Sequence, residues 1–406
     1  MSGRSLKKGY CGSSCACACG ASSKFVNWRE KTVMSAFGAI RLSCSYYRCV
    51  DCRRSQQPWD EQLRLGIRRV TAGAEEVITL SGQLTSFGQA ARSTLVRLTG
   101  IRLSESTVRR VTEDAGEKIA QRLADKETFG PAESWDWQQD ARGKGCAYTA
   151  IDHVSVPQQG PRGAKAESRM AAVAMIYNPQ SKHEPSTTAA RGRARGGCPT
   201  RFLSGLYELD ALGLTLRRQA AQVGWDDAEQ QLALSDAGNG LEQFAAKNFP
   251  LSEPILDFFH ASEHVTACAK AFHPHDEASA AAQATTWCHQ LKHAGGAALL
   301  AEWERLDIER WNDQRREVYR QEVQYFRNHQ HRMDYPRYLA NGWQIGSGPV
   351  ESGCKRLVTQ RLKGAGMRWG PRGTHTMCHL RALLLCQPDQ WAHAWAASPP
   401  KPYLQN

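Results

Sequence analysis

Three carboxylates in this sequence stand where metal-assisted phosphoryl transfer would need them. Asp152 lies in the middle of a strand-like run, Ala147–Pro157. Asp236 closes a short apolar run, Gln230–Ser235, and Glu351 follows the helix-start signature Ser347-Gly348-Pro349. Brought together, three carboxylates repel, and each is driven toward its protonated form unless a cation neutralises them. Mg²⁺ or Mn²⁺ suits such a set, because waters and a substrate phosphate complete the shell of a hard, oxygen-seeking ion. Two ions of this kind activate an attacking oxygen and stabilise the leaving one in an in-line displacement. Asp257, which also ends an apolar run (PILDFF), is the rival for the second position. His260, one turn further on, would orient DNA or an acid, unless it is a helix-start histidine satisfied by the core.

A second chemistry is written in the cysteines, of which there are 14. Cys49 and Cys52 form a Cys-x-x-Cys pair, and Cys11, Cys15, Cys17 and Cys19 crowd the N-terminal segment ahead of the strand-like FGAIRLSCSYY. Two close thiol sets joined by β-like sequence read as a zinc ribbon, with thiolates holding Zn²⁺ tetrahedrally in place of a core too small to stand alone. The irregular spacing leaves open which two of the first set take part; Cys15 and Cys19 are our choice beside Cys49 and Cys52.

The elements that must position these groups follow from periodicity. Val350, Cys354, Leu357 and Val358 recur at helical spacing, so Glu351 sits in the first turn of a helix with one buried stripe. Lys355, Arg356, Arg361, Lys363 and Arg368 fall on its other faces and beyond, as contacts for backbone phosphate; a Glu351–Lys355 pair on a solvated face is the competing explanation. Arg169–Tyr177 reads as a buried strand and Glu208–Val223 as an amphipathic helix. Asn178–Pro199 reads as a loop with Arg191, Arg193 and Arg195 between small residues. Ser86–Thr99, a turn, and Ser104–Leu123 have the layout of a helix-turn-helix, with Ser104 or Ser106 as cap and Arg109 and Arg110 near the end that meets a major groove. The expected organisation is a zinc-ribbon-like segment (1–58), a helical DNA-binding region (59–130), the first part of an RNase H-like α/β core (131–265) opened by a linker at Trp135–Gly145, a helical insertion (266–340), a C-terminal catalytic helix region (341–386) and a loosely ordered tail (387–406).

Lys and Arg number 52 against 40 Asp and Glu, a formal net charge of +12. That excess suits a polyanion, nucleic acid before an anionic membrane. No apolar run is long enough to span a bilayer and the first residues lack a signal-peptide core, so a cytoplasmic, nucleoid-associated protein is expected.

Three stretches carry a family resemblance: YPRYLANGWQIGSGPVESGCKRLVTQRLKGAGMRW (335–369), ILDFFHASEH (255–264) and YYRCVDCRRSQQPWD (46–60). Through them the chain resembles bacterial insertion-sequence transposases of the DDE type, most closely the ISKra-type family, relatives of the Mutator-like transposases. The resemblance implies that Glu351 is the last catalytic acid, Asp152 the first and Asp236 the second, with Asp257 and His260 matching a supporting acid-x-x-His signature. Asp152 is followed by His153 where the family carries glycine. It further implies double-stranded DNA as partner, both the terminal inverted repeats of an element and target DNA, and self-association to join two ends. An RNase H-like nuclease without joining activity, and an inactive transposon-derived DNA-binding protein, are the alternatives.

Overall fold

A computed structural model of the chain describes residues 6–63, 65, 69–179, 198–238 and 240–396; Arg191, Arg193 and Arg195 lie outside them. The chain divides into two units, Met1–Ile119 with Ala392–Asn406, and Ala120–Trp391.

The first unit is built on a long antiparallel hairpin, β3 (Ser22–Ser35) and β4 (Gly38–Cys49), flanked by β1 (Leu6–Lys8), β2 (Ser14–Ala16) and β5 (Ser55–Gln56) in the order β1-β4-β3-β2, with β5 also on β4. One face packs: Val33, Leu42 and Cys44 are buried with Trp59, Leu63 and Leu65 against them. Short helix α1 (Pro58–Gln62) follows, then α2 (Ala72–Leu84), capped by the Thr71 hydroxyl. The expected helix-turn-helix segment consists of α3 (Phe87–Gln89), a π-helical turn at Ala90–Thr94, α4 (Leu95–Thr99) and, after Gly100 at φ 73°, α5 (Glu105–Ala124). Left-handed backbone of this kind ends a helix at little cost only with glycine. Ser104 is the cap, its hydroxyl accepting from the Thr107 amide at 3.2 Å. Gly82 lets α2 approach α5, since a Cβ there would lie 2.5 Å from the Thr112 hydroxyl.

The second unit holds a five-stranded sheet of β6 (Cys146–Gln159), β7 (Lys165–Tyr177), β8 (Thr200–Gly205), β9 (Gln230–Ser235) and β10 (Glu253–Leu256), in the order β10-β9-β6-β7-β8. β6 pairs antiparallel with β7, and β7 with β8, whereas β6, β9 and β10 run parallel. Parallel neighbours need crossovers, which α6 (Leu209–Gln222) and α7 (Leu241–Asn248) supply. Where helices cover the sheet the strands run apolar, as in the buried Ala171–Tyr177 half of β7. β8 is the strand missed by sequence reasoning: its six residues are all buried but carry arginine and two hydroxyl residues. A helical block follows, as expected: α8 (Phe258–Phe272), α9 (Glu277–Ala294), α10 (Gly296–Trp303), α11 (Asp313–His329) and α12 (Tyr335–Ala340). Its core packs Trp287 edge-on against Trp303 and Trp303 at a tilt against Phe326, at 5.4 and 4.6 Å between ring centres.

The chain then returns to the sheet through α13 (Gly348–Cys354), a π-helical turn at Lys355–Thr359, α14 (Gln360–Leu362) and α15 (Pro371–Leu385). α13 packs on β6 and β7, and α15 on β8 and β7. Gly353 makes the first contact possible, as a Cβ there would meet the Phe202 ring at 2.9 Å. Two expectations need correction here. Trp135–Gly145 is no linker: the Trp137 indole is buried and donates to the Gly224 carbonyl at 3.0 Å. The tail is anchored at its start, for Gln387 exchanges backbone hydrogen bonds with Thr200, Gln390 is buried, and α16 (Trp391–Trp395) follows.

Candidate functional site

The strand register of the second unit brings acids together. Ile151 pairs with Ser235, and Ser235 with Leu256. The next residue in each case is an aspartate, so Asp152, midway along β6, lies in one row with Asp236 and Asp257, which stand one residue past the carboxyl ends of β9 and β10. Neighbouring strands lie about 5 Å apart, and residues in register share a face. Alternation sends the His153 side chain to the opposite face, and its backbone amide donates to Asp152 Oδ1 at 2.6 Å.

α13 closes over this row through two contacts. The Cys354 thiol donates to Asp152 Oδ2 at 3.3 Å. Ser347, at the cap of the same helix, donates its amide to Asp257 Oδ1 at 2.8 Å and its hydroxyl to Glu351 Oε1 at 2.6 Å. The expected stripe of Val350, Cys354, Leu357 and Val358 is buried, which leaves Glu351 exposed beside it. One circuit therefore runs Asp152, Cys354, α13, Ser347, Asp257, with Glu351 on its rim and Asp236 between the two other aspartates.

The aspartates are not equivalent. Asp257 is buried and fully engaged, capping α8 through the amides of Phe259 and His260 in addition to Ser347. That is a supporting role. Asp236 is half-buried and accepts from the Gly238 amide at 2.8 Å. Asp152 has its carboxyl held above the ordinary range, first by burial and also by the charge of Asp236, against hydrogen bonds from Cys354 and His153 that lower it. His260 meets the row through its backbone; its imidazole Nδ1 lies 3.5 Å from Glu263 Oε2.

Sequence reasoning passed over Arg332. It is 1 % exposed, and its Nη2 donates to Ser235 Oγ at 2.7 Å and to the Ser235 carbonyl at 3.2 Å, which secures β9 immediately before Asp236. Tyr335 does the same for β10, its hydroxyl donating to the Leu256 carbonyl at 3.1 Å. No local signal marks either residue, since their partners lie far away in sequence.

An all-oxygen donor set in which burial and a second carboxylate resist the ionisation of Asp152 is one that a hard cation relieves. The fit is incomplete: Asp152, Asp236 and Glu351 do not converge to within 4.8 Å of one another, a closeness that, among the described residues, only a set of cysteines attains. Glu351 is engaged by Ser347 instead. One consequence is testable without any assay of activity. A carboxyl whose folded-state pKa is raised contributes stability below its unfolded pKa and loses it as pH rises through the folded value. Asp152→Asn should therefore melt at a higher temperature than the parent near neutral pH, and the advantage should vanish below the ordinary aspartate range. Mg²⁺ should raise the parent's melting temperature and leave that of the variant unmoved. Thermal scans across pH, with and without Mg²⁺, measure both.

The cysteine set lies in the first unit and comprises Cys17, Cys19, Cys49 and Cys52. The sulfurs of Cys17 and Cys52, and of Cys19 and Cys49, are 3.6 Å apart. Tetrahedral Zn²⁺ at a Zn–S length of about 2.3 Å requires sulfurs about 3.8 Å apart, so the four fit a structural zinc ion. The Cys17 thiol is held down to about 6, chiefly by the backbone amide of Cys19, which favours the thiolate a metal needs. Cys15 is corrected out of the set. It lies within β2, and its sulfur is 3.7 Å from Gln56 Oε1. Cys17 and Cys19 instead sit on the tight turn closed by the Gly20 amide on the Cys17 carbonyl, at the end of the hairpin where Ser23 pairs with Cys49.

No family model and no curated protein matches the chain. Among the described residues, no helix is long and apolar enough to cross a membrane.

Of the basic residues expected to meet phosphate, Lys355, Arg356, Lys363 and Arg368 are exposed beyond α13, and Arg109 and Arg110 near the start of α5. Arg110 folds back on its own helix, with Nε donating to the Ser106 carbonyl at 3.0 Å. Arg361 is a correction. It is 4 % exposed, with its guanidinium 5.0 Å from the centre of the Trp369 ring. Three, four and seven residues after Val358, Leu357 and Cys354, it falls on the buried stripe of the helix, and its charge rather than its phase is what reads as exposed.

Proposed function

We propose that the chain is a DDE-type DNA transposase that cleaves and joins phosphodiester strands at the ends of a mobile element. The observation that carries the proposal is the row of Asp152, midway along β6, and Asp236, just past the end of the parallel neighbour β9, with α13 tied across it and Glu351 at its rim. The sheet supports an RNase H-like core: three antiparallel-linked strands and two parallel ones, with the first strand central and carrying the first acid. Asp152, Asp236 and Glu351 would hold Mg²⁺ or Mn²⁺, and bound there the metal would activate an attacking water or 3′-hydroxyl and stabilise the leaving oxygen. For Glu351 this requires release from Ser347. Asp257, Cys354 and Arg332 position the acids. The zinc-binding module and the helices of the first unit would recognise the terminal inverted repeats, and exposed lysines and arginines would hold the backbone.

Salt titration of DNA binding tests the partner. Binding should weaken steeply with salt, because released counterions dominate phosphate contacts. Lys355→Ala with Arg356→Ala should weaken binding on any duplex and flatten the salt slope by about one to two charges, whereas Arg109→Ala with Arg110→Ala should lower preference for element ends. A flat salt response in the parent would contradict a phosphate partner.

A further inference from the structure

We infer that Phe259 is a stacking platform for an unpaired nucleobase at the strand end held by the acid row, an inference that rests on the nucleic-acid partner proposed above. Among the described residues of the second unit, Phe259 is the single exposed ring of phenylalanine, tyrosine or tryptophan, at 58 %. A lone exposed ring of this size normally lowers its cost by folding onto apolar neighbours. This one is held in place: its own amide donates to Asp257 Oδ1 at 3.2 Å, and the preceding amide, of Phe258, donates to the Ile345 carbonyl at 2.9 Å. The ring lies against Gly346 so closely that a Cβ there would fall 2.7 and 3.0 Å from two of its carbons. Gly346 does not adopt positive φ, so the ring, and not the backbone, is what requires glycine at that position. On its other side Phe258 contacts both Phe259 and the buried Tyr335 edge-on, at 5.9 and 5.3 Å.

The placement selects the ligand. Phe259 is two residues from Asp257, which follows the Leu256–Ser235 pair beside Asp236, and its ring packs on Gly346, next to the Ser347 cap of the helix that carries Glu351. A single ring offers too little area to hold a protein partner, but one face of a base covers it. Stacking of this kind tolerates any base, since every base has a π-face, and it requires an unpaired one. Exposed Lys355 and Arg356 on the same helical segment as Glu351 supply charge for the adjoining backbone.

The test uses the full chain, without added divalent metal, and two probes: a blunt DNA duplex, and the same duplex with a short single-stranded tail bearing 2-aminopurine. Phe259→Ala should weaken binding of the tailed duplex roughly five- to a hundredfold and leave the blunt duplex within about twofold. Phe259→Trp should restore the parent's affinity. The fluorescent base should be quenched by the parent and by Phe259→Trp, and should stay bright with Phe259→Ala. Equal loss on both duplexes, or loss on neither, overturns the stacking platform while leaving DNA as the partner. A parent that binds neither probe overturns both.

Discussion

Glu351→Gln should bind DNA at low salt at least as well as the parent and cleave it at least about a thousandfold more slowly. The substitution keeps size and shape while removing the charge that would complete a metal site. Its structural cost is small, because Glu351 is exposed and the helix is anchored by Val350, Cys354 and Leu357 on the buried stripe. The Ser347 hydroxyl can still donate, now to the amide oxygen. A metal-borne stabilisation of several kcal/mol corresponds to a rate factor of about a thousand or more. Asp152→Asn and Asp236→Asn should fall by similar factors, and combining either with Glu351→Gln should cost little more, since groups that act as a unit do not add. Cleavage rates on labelled DNA beside binding isotherms give both quantities. Near-normal cleavage by Glu351→Gln would reduce α13 to a phosphate-binding face.

Cys17→Ser should strip the first unit of metal, and Cys15→Ser should not. The parent should carry about one Zn²⁺ per chain, and structural zinc contributes about 10–16 kcal/mol to folding in small zinc-dependent modules. The apolar cluster of Val33, Leu42 and Cys44 includes neither the Cys17–Gly20 turn nor the Cys49–Cys52 loop, which the ion would tie together. Loss of zinc from Cys17→Ser or Cys49→Ser should therefore unfold the N-terminal strands and leave the sheet of β6 to β10 intact. Metal analysis with protease mapping reads both effects. Retention of zinc by Cys17→Ser, or its loss from Cys15→Ser, would return Cys15 to the set.

The legible parts of this fold are those in which a local pattern and a tertiary role coincide. The apolar runs of β6, β7 and β9 announce buried strands, and Asp152 and Asp236 stand out as charges at a middle and an end of such runs. The stripe of α13 and the cap of α5 by Ser104 are equally local. What was not legible depends on side-chain chemistry, on strand pairing or on distance. Arg361 reads as exposed from its charge, although its spacing of three, four and seven residues from Val358, Leu357 and Cys354 puts it on the buried stripe, where its guanidinium lies over the Trp369 ring. Cys15 and Cys17 are interchangeable in spacing, and only the pairing of β2 with β3 separates them. The services of Arg332 to Ser235 and of Cys354 to Asp152 cross 97 and 202 residues, beyond the reach of any window.

The central claim is that the acid row joins strands as well as cutting them, and it is met most directly by strand transfer. Purified full-length protein would be given a pre-cleaved end with a free 3′-hydroxyl, taken from the DNA flanking the reading frame, together with a second duplex as target. The account predicts a covalently joined product with Mg²⁺ or Mn²⁺, none without divalent metal, and none from Asp152→Asn, Asp236→Asn or Glu351→Gln. Metal-dependent hydrolysis of the same end with no joined product would contradict it and leave a nuclease, and joining that survives loss of all three acids would place the chemistry elsewhere in the chain.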